Sequence, residues 1–336
     1  MTTLKEKLSP YLADFDQLVS VCESEITTGG GRGNRIIEID NGSGLRFTVS
    51  PDRALDIVNA SFRGVPLVFR TPSGYRSRME YDPAGIGWLR TWQGGLMTTC
   101  GLRSAGSPDE SSGLHGRIGN QPAEDVGVTR TWSEDGSEYR IQVRGVIREA
   151  CLFGENLRLE RTISTAYGKN EICVHDRVIN LGPEDDFVQI VYHCNFGYPF
   201  VSPAIRFVLP EHKIIPRDEN AAADLANWMR MPEPQENMPP EECFFHELPA
   251  DENGWASFVM ENDDVKIRAA VAYDTATLPR VCQWKLFQKN RYVLGVEPTN
   301  TTLNGRLKEI ADGVAVPLKD GESMDFRIRF SFETMS

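Results

Sequence analysis

No apolar run in the 336-residue sequence approaches the roughly 18–20 residues of a membrane-spanning helix, and residues 1–20 lack the apolar segment of a secretory signal. There is no Cys-x-x-Cys pair. The seven cysteines, at positions 22, 100, 151, 173, 194, 243 and 282, are scattered and odd in number. That usage argues against a disulfide framework or a zinc knuckle and for reduced thiols in a cytoplasmic protein, most of them small core residues. Positive charge is also scarce: 36 basic against 48 acidic residues leave a formal charge of −12. A field of that sign repels nucleic-acid phosphates and anionic membrane surfaces, so neither is an expected partner. His-Glu-x-x-His and His-x-His are missing as well, and no metal or other cofactor is expected.

Helical periodicity is scarce too. Ser9-Pro10 followed by Leu12, Phe15, Leu18 and Val19 predicts one short amphipathic helix within an N-terminal extension over 1–25. Beyond it, period-two alternation dominates, as in Leu45-Arg46-Phe47-Thr48-Val49 and Tyr139-Arg140-Ile141-Gln142-Val143. Further strands are predicted over 157–165, 171–180, 187–196, 265–273, 281–287, 291–297 and 324–332, with turns at Asn41-Gly42, Asp135-Gly136 and Asp312-Gly313. Many short strands at close spacing predict a mostly β protein, one large antiparallel sandwich spanning 1–336 with few short helices. Two irregular stretches, 71–125 and 216–242, are rich in Gly or Pro yet hold anchoring aromatics or Met, which marks them as functional loops rather than linkers. A helical turn is predicted near 221–229. Thr28-Gly29-Gly30-Gly31-Arg32-Gly33 lacks the Gly-Lys-Ser/Thr ending of a phosphate loop and leads into a strand, so it is read as a turn.

The chemistry is carried by three distant groups. His115 lies in Gly113-Leu114-His115-Gly116-Arg117, where flanking glycines permit close approach of a ligand to the backbone. His193 lies on a strand beside Gln189 and Asn195, either of which could hold the imidazole in one tautomer. Glu297 ends the strand Arg291-Tyr292-Val293-Leu294-Gly295-Val296, sharing a face with Gly295; inside a pocket, desolvation would raise its pKa toward the range of a useful base. Trp88, Trp92 and Trp284 could stack on a sugar face or belong to the core. His175 and His212 are read as structural, and His246 as a weaker pocket member.

Taken in order, these segments resemble the galactose mutarotase (aldose 1-epimerase) superfamily, in particular its bacterial aldose-epimerase-like branch. Leu114-His115-Gly116-Arg117 is similar to that family's His-Gly turn, Tyr192-His193-Cys194-Asn195-Phe196 to its Tyr-His-Pro-Tyr-Phe strand, and Gly295-Val296-Glu297-Pro298 to the strand bearing its glutamate. Asp52-Arg53-Ala54-Leu55-Asp56-Ile57 and Trp92-Gln93-Gly94-Gly95-Leu96 resemble signatures of the narrower branch, and the likeness spans 35–330. The resemblance implies a galactose mutarotase-like supersandwich with its site in a groove across one sheet. It also implies an isomerase that interconverts the anomers of a free aldose without a cofactor. Glu297 would be the base and His193 the acid. His115, Arg117 or Arg90, His246 and Trp284 would contact the substrate, a small-molecule carbohydrate. Cys194 and Asn195 depart from the family pattern, which bears on the substrate more than on the fold. The alternatives are a non-catalytic carbohydrate-binding or sensing protein, or a sugar isomerase holding a metal on His115, His193, His246 and Glu297. A strand-rich surface could also support a homodimer.

Overall fold

The computed structural model describes residues 2–336, and in it the alternation of the sequence becomes three antiparallel sheets. Five strands form the first, in the order Ser20–Glu25, Arg35–Asp40, Leu45–Ser50, Asp56–Phe62, Val65–Pro66. The second has eight, in the order Ile205–Phe207, Trp255–Asn262, Ile267–Asp274, Ser323–Thr334, Glu171–Asn180, Asn156–Ala166, Tyr139–Ala150, Glu124–Trp132. The third runs Lys213–Pro216, Glu242–Glu247, Arg280–Gln288, Arg291–Thr299, Asp186–Gly197, Val316–Leu318, with Thr98–Leu102 also paired to Asp186–Gly197. This is the expected mostly β sandwich, and its helices are short.

The main core lies between the sheets. Tyr139–Ala150 is buried at every second residue, the signature of a strand with one face inward and one in water. Asp186–Gly197 is different: from Val188 to Gly197 every residue is buried. Ile190, Tyr192, Cys194 and Phe196 face the main core, while Val191 belongs to a second apolar cluster on the other side, with Trp88, Trp92, Cys243 and Cys282. The irregular stretches 71–125 and 216–242 supply the cover for that second face, and they leave a cavity between themselves and the sheet.

The N-terminus corrects the sequence reading. The α-helix is Leu4–Leu8, opened by a Thr3 capping box with Glu6, and 10–19 contributes only two single 3-10 turns. Asp14 caps the second turn and interrupts the apolar period. The residues that follow form the strand Ser20–Glu25, so the sheet structure begins well before position 35. The glycine-rich stretch is a 3-10 turn at Gly29–Gly31 leading into Arg35–Asp40, as expected. The helical turn in the second loop is Glu219–Ala223, capped by Asp218, followed by a 3-10 turn at Leu225–Asn227.

One charged cluster lies inside the core. Arg161 and Asp176, both with fully buried side chains, form a two-pronged ion pair at 2.8 and 2.6 Å. Arg161 also reaches Asp56 at 3.2 Å, and the Tyr192 hydroxyl donates to Asp176 at 2.7 Å. Burial pushes the Asp56 carboxyl up to about 6 against the pull of Arg161. The cluster ties the first sheet (Asp56) to the second (Arg161, Asp176) and the third (Tyr192). Asp176→Ala would leave Arg161 under-compensated, and unfolding in denaturant should show a loss of about 3–5 kcal/mol; a loss below about 1 kcal/mol would contradict this account of the core.

Candidate active site

Sheet register sets out the site as two rows across the outer face of the third sheet. His193 pairs with Thr98 on one side. On the other, the register Cys194↔Val296 brings His193 opposite Glu297, which itself pairs with Cys282. The next row is Asn195, Gly295, Trp284 and Cys243. Gly295 matters because it has no side chain. A Cβ there would lie 2.4 Å from Glu297 Oε1, so the glycine provides the space the carboxyl occupies.

His193 Nδ1 and Glu297 Oε1 are 3.2 Å apart. Their angle falls outside a formed hydrogen bond, and neither atom has another partner. Only 7% of the His193 side chain and 2% of the Glu297 side chain remain exposed. Burial therefore raises the Glu297 carboxyl well above its usual range, with the charge of Glu241 adding to the effect and Arg217 opposing it. Burial lowers His193 to about 4, against a smaller upward effect of Asn195. The same environment thus pushes acid and imidazole in opposite directions, and each group is held uncharged. The Asn195 amide donates to the His193 carbonyl at 2.7 Å and to the Gly95 carbonyl at 3.2 Å, and so anchors the strand backbone beside the ring.

His115 completes the polar end. Its N–H donates to the Gly106 carbonyl at 2.9 Å, its carbonyl accepts from Gly101 at 3.1 Å, and its Nδ1 accepts from the Gly106 N–H at 3.3 Å. That last bond leaves the proton of the neutral ring on Nε2. Burial, then the neighbouring His193 and Arg217, lower its pKa well below the usual value. The rings of His115 and His193 are 5.4 Å apart, edge to face. Trp88 and Trp92 stack at 5.1 Å, and Trp284 stands 5.3 Å from His193, so the imidazole is enclosed by indoles. The cavity is about 400 Å³, within the ordinary range for a small-molecule site.

Of the residues singled out from sequence, Glu297, His193, His115 and Trp284 line this cavity. Arg90, Arg117 and His246 do not. Arg90 is exposed on the Gly87–Arg90 turn, and Arg117 lines a neighbouring pocket behind the His115 turn. His246 is buried on the opposite face of its strand, because Cys243 and Phe245 take the cavity side. There it meets His212 at 2.8 Å and Gln283 at 3.3 Å. His246 is therefore unable to join His115, His193 and Glu297 around one ion, and among the described residues no group of three His, Cys, Asp or Glu side chains converges as metal ligands. His175 is a surface residue paired with Asp325 at 2.7 Å.

Sequence reasoning missed Arg217, Asp218 and Glu241 at the cavity rim. Arg217 binds Glu241 Oε1 at 2.9 Å and Asp218 Oδ2 at 3.0 Å, and Glu241 Oε2 accepts from the Trp284 indole at 2.9 Å. Both ends of the irregular stretch 216–242 meet here, held by a bond from the Arg217 N–H to the Cys243 carbonyl at 3.0 Å. The only signal was the loop itself.

The sandwich is the fold of the galactose mutarotase-like (aldose 1-epimerase) superfamily. A protein from Klebsiella pneumoniae subsp. pneumoniae, described as a candidate aldose 1-epimerase, superposes with a TM-score of 0.85 at 26% identity, over 96% of this chain and 87% of that one. A galactose mutarotase-like protein from Clostridium acetobutylicum gives 0.66 at 15% identity, over 95% and 100%. The galactose 1-epimerase of Lactobacillus acidophilus gives 0.61 at 11%, over 95% and 100%. Within this fold the chain belongs to the family described as Domain of unknown function (DUF4432), which matches residues 31–332. No curated protein matches the sequence significantly. Among the described residues, no helix is long and apolar enough to cross a membrane.

A buried carboxyl with a raised pKa binds its proton more tightly folded than unfolded. Folding stability is thus lost as pH rises from the ordinary carboxyl range toward the raised pKa of Glu297. Glu297→Gln removes this cost. Its melting temperature should exceed that of the parent by several degrees at neutral pH, with the gap closing toward acidic pH. Equal or lower melting temperatures at every pH would show that the carboxyl is not buried as described.

Proposed function

We propose that the protein is a sugar mutarotase or closely related epimerase acting on a free aldose. The reading is carried by one observation, the 3.2 Å approach of His193 Nδ1 to Glu297 Oε1 at the floor of a cavity walled by indoles. Opening a cyclic hemiacetal requires a proton to leave the anomeric hydroxyl while another arrives at the ring oxygen. One carboxyl and one imidazole that hold a single proton between them are sufficient for both transfers.

In the reactive form that proton is on His193 and Glu297 is ionised. Glu297 takes the anomeric proton, the C1–O bond to the ring oxygen breaks, and His193 protonates that oxygen. The product is the open-chain aldehyde. Rotation about C1–C2 presents the other carbonyl face, and the same transfers run backward to close the ring as the opposite anomer. Charge separation within so buried a pair is costly. Sugar hydroxyls would solvate it, with His115 Nε2–H as a further donor to a substrate oxygen. Trp88 and Trp284 offer surfaces for the apolar face of a pyranose, and Arg217 with Glu241 supplies a donor–acceptor pair at the rim.

Two outcomes test this reading. Glu297→Gln and His193→Asn should each lower the rate of anomer interconversion, followed by polarimetry or NMR on freshly dissolved α-sugars, by at least about a hundredfold while the fold is retained. If both variants turn over sugar at the parent rate, the assignment fails. The pair holds one proton between the depressed pKa of His193, about 4, and the raised pKa of Glu297. The parent's kcat/KM should therefore be flat across neutral pH, falling below the His193 limit as a second proton binds and above the Glu297 limit as the shared one is lost. A rate that keeps rising with pH through the alkaline range would rule out a shared proton.

A further inference from the structure

The turn Gly113–Arg117 has a cavity on each side. Leu114 and His115 line the one described above, whereas Gly113 and Arg117 line a second of about 290 Å³. Arg103 and Arg306 join Arg117 there, so three guanidinium groups gather around one pocket in a chain of net charge −12. Two of them are already engaged. Arg103 binds Glu155 at 3.2 Å and Asp186 at 2.9 Å, and Arg306 shares Asp186. Arg117 makes no side-chain hydrogen bond or ion pair with the described residues. Three guanidinium groups thus meet the carboxyl groups of Glu155 and Asp186, and Glu149 is a further carboxyl in the lining.

Two buried polar groups in the same wall complete the arrangement. Ser104 is 2% exposed and its hydroxyl has no hydrogen-bond partner. Glu149 is 5% exposed and takes the Leu102 N–H at 2.7 Å on one oxygen. Burial raises the Glu149 carboxyl to about 7, so it carries less than a full negative charge near neutral pH. In contrast to the first cavity, this lining has no aromatic ring, so it suits a charged group and not a sugar face.

We propose that this second pocket binds a small oxyanion, a phosphate or carboxylate group, on Arg117 and the Ser104 hydroxyl, and that binding is transmitted to His115 through the turn they share. The path is short. The Arg117 N–H donates to the Gly101 carbonyl at 3.1 Å, and the Gly101 N–H donates to the His115 carbonyl at 3.1 Å, so one residue of the strand Thr98–Leu102 holds both. His115 itself has a φ of +60°, a conformation unfavourable for a side-chain-bearing residue and sensitive to displacement of its neighbours. Oxyanion binding is independent of whether the first cavity is catalytic, and so is its test.

The full chain is titrated with inorganic phosphate and separately with acetate, by calorimetry and by histidine ring NMR. Saturable binding of either anion at millimolar concentration is expected. Arg117→Met and Ser104→Ala should each weaken it, the former by at least about tenfold for one lost charge-assisted contact, whereas Arg90→Met should bind like the parent. The His115 signal should move on saturation while that of His175, paired with Asp325 on the surface, stays in place. Preference for one anion identifies the group, and either preference supports the site. Failure of both anions to bind, or undiminished binding by Arg117→Met, overturns it. Binding that leaves His115 unmoved overturns the coupling.

Discussion

The contact between His193 and Glu297 is possible only because two antiparallel strands hold one register. A shift of one residue in either strand would turn one of the two side chains into the main core. Gly295 then clears the space for the carboxyl, and beside the indoles of Trp88, Trp92 and Trp284 only 7% of the His193 side chain and 2% of the Glu297 side chain remain exposed. Burial is the source of the proposed chemistry: it pushes the carboxyl up and the imidazole down, toward a pair that shares one proton. In water the same two groups would be a carboxylate and a largely neutral histidine with little reason to exchange it.

Such a pair burdens the fold, since two ionisable groups are taken out of water without a good hydrogen bond between them. The rest of the structure tolerates this through anchoring elsewhere. Arg53, 1% exposed, donates to the carbonyls of Gly119 at 2.8 Å and Thr91 at 2.9 Å, and so ties the His115 loop to the tryptophan loop. Asp56, three residues on, receives the Thr99 N–H at 3.0 Å and hydroxyl at 2.6 Å beside the His193 strand. The Asp52–Ile57 motif is therefore scaffold for the site rather than part of it. Close packing of Gly94 against the Phe69 carbonyl and of Gly95 against Ile57 gives the second motif the same character.

The strands were legible because alternation is a local signal. The predicted spans over 139–143, 171–180, 281–287 and 291–297 fall within or coincide with the observed strands. Thr98–Leu102 and Glu124–Trp132 went unassigned: the first is buried on both faces and loses alternation, and the second is exposed along most of its length. At the site, Glu297 and His193 could be read from their strands, and His115 from its glycines. The face of His246 could not, because it depends on which side of Glu242–Glu247 the cavity lies, a fact of sheet packing. Arg217 and Glu241 are 24 positions apart and meet only through the loop that joins them. The helical period over 10–19 misled for a related reason: a few apolar side chains pack as well from 3-10 turns, and the capping box at Thr3 placed the helix earlier.

A crystal of the parent protein soaked with a free aldose would test the central claim most directly. The account predicts a pyranose in the 400 Å³ cavity, its anomeric oxygen within hydrogen-bond reach of a Glu297 oxygen and its ring oxygen within reach of the His193 imidazole. A sugar bound elsewhere, or bound here with C1 and the ring oxygen turned toward the Arg217 rim and away from the pair, would contradict it.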